Sequence, residues 1–95
     1  MVTRTLCITY DIPATSNYDP LLEHLREFPG YLHRLESTWF VRTKKSCRVV
    51  RDEIESLIPE GGKAIVFEVG ATWASFRLPE SAAKWLHKYW DPADD

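Results

Sequence analysis

The order of hydrophobic periodicities in this chain predicts an α+β sandwich, an antiparallel sheet with helices on one face and an extra helix at the carboxyl end. Three observations carry the prediction. Period-two segments alternate with segments of helical period. Proline or glycine separates nearly every pair of them. The two most apolar strand-like runs are the first strand and Lys63–Val69.

The first strand is TLCITY, residues 5–10, in which Leu6, Ile8 and Tyr10 alternate with Cys7 and Thr9. It runs through Asp11 and Ile12 and is closed by Pro13, and a polar loop over 14–18 follows. Asp19-Pro20 then reads as a helix start, with Asp19 as the N-cap and Pro20 at the first helical position. Leu21, Leu22, Leu25 and Phe28 form its apolar stripe, and Pro29-Gly30 ends it. Residues 31–43 read as a strand pair, or as one long bent strand, with the break near Glu36-Ser37. Ser46 is a plausible cap for a second helix, along which Cys47, Val50, Ile54, Leu57 and Ile58 recur every three or four residues. PEGG, residues 59–62, stops that helix. KAIVFEV, residues 63–69, is nearly continuously apolar, as expected of a covered central strand. Gly70 breaks it, and Trp73–Arg77 reads as a short edge strand. Pro79-Glu80-Ser81 opens a third helix with Ala82, Trp85, Leu86 and Tyr89 on its apolar side. Asp91-Pro92 ends it, ahead of a frayed acidic tail. The arrangement is of the ferredoxin-like kind, one domain over 1–95 with a helical extension over 79–90, and with the first and last core strands expected in the middle of the sheet.

Composition narrows the function classes. The 95 residues are 44% hydrophobic and 27% charged, a balance that folds. A formal net charge of -2 excludes a strongly basic nucleic-acid-coating protein but not a local basic surface. No apolar run approaches the ~20 residues that span a bilayer. The amino end lacks the pattern of a secretory signal. Cys7 and Cys47, the two cysteines, sit in unrelated segments and read as free thiols of a cytoplasmic protein.

Asp11 is the most informative polar residue, because it lies at the carboxyl end of a strand expected to be central. A carboxylate beside a core is costly unless paired, hydrated or bound to a cation. It reads either as a metal ligand or as a turn residue accepting backbone N–H bonds before Pro13. One carboxylate holds magnesium poorly. A symmetric dimer supplies Asp11 twice across its axis. Arg42, Lys44, Lys45, Arg48 and Arg51 fall within ten residues that contain no acid. They read either as a phosphate-binding edge for RNA or DNA, or as a solvated surface balanced by Asp52, Glu53 and Glu55, with Arg51–Glu55 as an i,i+4 pair. Ser37 and Thr38 are sheet hydroxyls or part of a polar pocket near Asp11. Trp73, Trp85, Tyr89 and Trp90 suit a core, a dimer seam or a base-stacking surface. His24, His33 and His87 have no ligand spacing, and no phosphate loop, nucleophile elbow or dinucleotide fingerprint is present.

The strand ITYDI, residues 8–12, and the later step ESTWFV, residues 36–41, resemble those of the CRISPR-associated "Cas-two" adaptation family. The resemblance is closer to its stand-alone relatives, often labelled SinR-like, and covers residues 5 to about 77. The resemblance implies a small ferredoxin-like homodimer, cytoplasmic and linked to antiviral defence. It also implies that Asp11 from both subunits holds a magnesium ion for phosphodiester hydrolysis, making Asp11 the metal-binding and catalytic residue and Ser37 a polar neighbour in the same site. Some members cleave RNA or DNA; others are inactive duplex-binding platforms, and related small proteins resemble VapD-type toxins. The chain departs from the family in its acidic net charge and in its aromatic third helix, which stands where the family has a dimer-exchanging tail strand.

Overall fold

The computed structural model of the chain describes residues 3–13, 16–70 and 73–89. Its elements run β1 (Arg4–Asp11), α1 (Asp19–Arg26), β2 (Gly30–Leu35), β3 (Thr38–Thr43), α2 (Cys47–Glu55), β4 (Lys63–Glu68) and α3 (Glu80–Tyr89). The four strands form one sheet in the order β2-β3-β1-β4, and every neighbouring pair is antiparallel. This small α+β architecture is compatible with a ferredoxin-like fold.

Alternation along β1 separates the two faces of the sheet. Leu6, Ile8 and Tyr10 join Trp39 and Val41 of β3 in the main core, which is closed by Leu21 and Leu25 of α1 and by Val50 and Ile54 of α2. Within it the Trp39 indole N–H donates to the Tyr10 hydroxyl at 3.1 Å, so the largest core side chain keeps its polar atom satisfied. Leu32 of β2 belongs to the opposite face. It forms a second, smaller cluster with Ala82 and Leu86 of α3, against which Phe40, Trp73, Leu78 and Trp85 pack. The third helix thus covers the far face of the sheet over β2 and β3.

Several local expectations hold. The break at Glu36-Ser37 is a tight turn, and residues 31–43 are a hairpin rather than one bent strand. Neither turn residue has the positive φ that twist-matched two-residue hairpins favour. The β2–β3 register shifts between Leu32 and Leu35, next to this turn. Ser46 caps α2, its hydroxyl accepting from the Val49 N–H at 3.2 Å. Gly61, at φ 90°, makes the turn from α2 into β4, and a Cβ on Gly62 would meet Ile58 at 2.6 Å.

Three expectations are corrected. Asp19 is not the N-cap of α1: Tyr18 takes that position, and the Asn17 side chain accepts from the Asp19 N–H at 3.2 Å. Trp73–Arg77 is not a strand, and Arg77 at φ 60° has a left-handed backbone that strand pairing forbids. The strand KAIVFE is an edge, not a centre. The central pair is β1 and β3, because the chain returns from α2 to the outer side of β1. Of its apolar residues only Val66 packs against the main core, while Ile65 and Phe67 are 58% and 45% exposed. The expected end of the third helix at Trp90 and Asp91-Pro92, and the frayed tail, lie outside the described residues, as do Ala14 and Thr15 of the polar loop.

Candidate functional site

Asp11 ends β1 and is exposed. Odd-numbered β1 residues face away from the main core, and the β1–β4 register sets Asp11 opposite Lys63, Thr9 opposite Ile65 and Cys7 opposite Phe67. Asp11 therefore shares a sheet face with the two exposed apolar side chains of β4. Ser37 is brought to the same end of the sheet, where its carbonyl accepts from the Tyr10 N–H at 3.1 Å. Thr38 donates from its hydroxyl to that of Thr9 at 3.2 Å, so it is a sheet hydroxyl with a partner. Among the described residues no hydrogen bond reaches the Asp11 carboxylate, and the loop residues 14–15 that follow Pro13 lie outside them.

Magnesium takes near-octahedral oxygen ligands and commonly one or two carboxylates. Asp11 supplies one carboxylate, and the residue paired with it in the ladder is a lysine. Among the described residues no group of three or more His, Cys, Asp or Glu side chains is placed to hold a metal.

The five basic residues do not form a single surface. Arg42 turns toward α3, where its guanidinium donates to the Thr5 hydroxyl at 2.6 Å and the Tyr89 carbonyl at 3.3 Å and lies over the Tyr89 ring. Its role is to anchor the third helix to the sheet. Arg48 and Arg51 line a shallow depression beside Ala64, Ile65 and Val66 of β4. Arg51 is bound to Asp52 at 2.7 Å rather than to Glu55, which corrects the expected i,i+4 pair. Lys44 and Lys45 line a different cleft, of about 490 Å³, between α1 and α2. Among the described residues the side chains of Lys44 and Arg48 have no ion-pair partner.

The cleft holds a cluster that the sequence did not announce. Glu53 accepts from the Lys45 ammonium at 2.7 Å and from His24 Nε2 at 3.1 Å. A carboxylate only accepts, so Nε2 of His24 carries the hydrogen. Burial raises the Glu53 pKa, but the hydrogen bonds and charges of Lys45 and His24 outweigh it, and the carboxyl titrates below its ordinary range. His24 and Glu53 are 29 residues apart on different helices, a separation no local spacing reveals. The other histidines lie elsewhere. His33 stacks on Trp39 at 4.0 Å, and His87 lies 5.1 Å from Trp73.

Both cysteines are free. Burial pushes the Cys7 thiol pKa up, which makes it a poor nucleophile. No helix among the described residues is long and apolar enough to cross a membrane. Comparison of the chain with family models, with curated proteins and with solved structures gives no match.

Proposed function

We propose that the chain is a homodimeric, metal-dependent nuclease resembling the Cas-two-like proteins, acting on phosphodiester bonds of RNA or DNA. The observation that carries this reading is the placement of Asp11. It is exposed on the same sheet face as Ile65 and Phe67, an apolar strip that α3 leaves open. A second copy laid against that strip buries it, and a two-fold axis near the ends of the two β1 strands brings one Asp11 to the other. The two Asp11 carboxylates would hold a magnesium ion, whose chemistry there would be activation of water and neutralisation of phosphate charge. Lys44 and Arg48 contact the nucleic-acid backbone, and Ser37 stands beside the carboxylates as a polar neighbour.

The test is cleavage of single- and double-stranded RNA and DNA with magnesium or with chelator. Activity that requires magnesium and is lost in Asp11→Asn supports the proposal; activity retained by Asp11→Asn sinks it. A second reading, a dimeric nucleic-acid-binding module without turnover, is favoured by Lys63, which is paired with Asp11 in the ladder and adds a positive charge to that end of the sheet. Binding without cleavage under every metal condition selects it.

A further inference from the structure

Beside the end of α1, β2 carries a groove that none of the preceding readings uses. Arg26, the last residue of α1, stands over it, and Tyr31, Leu32, His33, Arg34 and Trp39 complete its lining. Its volume is about 420 Å³, at the lower end of the ~300–1,000 Å³ of small-ligand clefts and suited to one nucleotide unit. The lining contains two arginines and a histidine and no acid. Among the described residues neither Arg26 nor Arg34 has a carboxylate partner, and both are exposed.

The aromatic groups are graded in availability. Trp39 is buried and supports the others. His33 is stacked on it, with interplanar angle 13°, and donates from Nε2 to the Glu36 carbonyl at 2.8 Å. Tyr31 leans against Trp39 at 5.4 Å and 40° but keeps 39% of its surface exposed. An exposed ring on a rigid support, flanked by unpaired guanidinium groups, is the combination that binds an unstacked base and its adjoining phosphates.

We infer that this groove binds single-stranded nucleic acid, with a base stacked on Tyr31 and phosphates held by Arg26 and Arg34. A duplex keeps its base faces stacked inside and has no partner for Tyr31, so single strands are the favoured ligand. The inference rests on the reading of the chain as a nucleic-acid-binding protein, and it adds a site remote in sequence from Lys44 and Arg48.

Fluorescence anisotropy with labelled single-stranded RNA and DNA of about ten nucleotides, and with matched duplexes, tests it on the full chain. Tyr31→Leu is expected to weaken single-strand binding by about 5- to 100-fold, with Tyr31→Phe restoring it and duplex binding unchanged. Arg26→Gln with Arg34→Gln is expected to flatten the salt dependence by about 1.4 in the log–log slope. Circular dichroism checks that each variant folds. If all three substitutions leave affinity and slope unchanged while Lys44→Glu with Arg48→Glu abolishes binding, the groove is overturned and the nucleic-acid reading stands. If the unaltered protein binds no strand of either kind, both fall together.

Discussion

Asp11 is paired with Lys63 across the β1–β4 ladder, so the carboxylate at the end of the first strand has a lysine of its own chain on the neighbouring strand, although among the described residues no ion pair joins the two. A lysine across the ladder from a carboxylate opposes metal capture by charge repulsion. For a divalent ion about 8 Å from the ammonium in a water-like dielectric the effect is on the order of 1 kcal/mol. Lys63→Ala is therefore expected to tighten magnesium binding by about 2- to 5-fold, read by calorimetry. An unchanged or weaker affinity would separate Lys63 from the metal site.

The apolar strip on β4 gives a test of assembly. Phe67 and Ile65 are exposed on the side that carries Asp11. Phe67→Asp sets a charge where the proposed second copy packs; on that proposal it is expected to convert a dimer into a monomer at micromolar concentration, with the proposed magnesium-dependent cleavage lost in parallel. Light scattering coupled to chromatography measures the first effect. A dimer that survives the substitution uses another surface.

The Glu53 cluster links pH to stability. Its carboxyl titrates below the ordinary range in the folded chain because Lys45 and His24 outweigh the effect of burial. A lowered folded value means that the unfolded chain binds the proton more tightly, so this contribution is complete above about pH 4.3 and disappears as pH falls through the folded value. Glu53→Gln is expected to cost about 1 kcal/mol at pH 7. It is also expected to flatten the acid limb of urea-denaturation stability measured from pH 6 downward. An acid limb identical to that of the unaltered chain would refute the assignment.

The bond from the Trp39 indole to the Tyr10 hydroxyl fixes the largest side chain of the core. Tyr10→Phe removes the acceptor and leaves a buried donor unpaired, at a cost of about 1–3 kcal/mol. Urea denaturation at neutral pH reads the loss directly. A change within a few tenths of a kcal/mol would mean that water takes over as acceptor.

Much of the local structure was written in the chain itself. Alternation in residues 5–10, the stripe of α2 with Ser46 at its head, the hairpin break at Glu36-Ser37 and the glycines after α2 each follow from backbone geometry and short-range hydrogen bonding, and the structure has them all. What hydrophobicity could not tell was the place of a strand within the sheet. An apolar run such as KAIVFE has the same pattern whether its own chain covers it or leaves it at an edge, and the path of the chain after α2 left Ile65 and Phe67 exposed. The tertiary structure alone also divided the basic segment, turning Arg42 inward to hold α3 while Lys44 and Arg48 stayed outside. It alone brought His24 to Glu53 and Arg26 to Tyr31. Periodicity reports which side of an element is apolar, whereas a site depends on which elements meet, and that is decided by packing between segments distant in sequence.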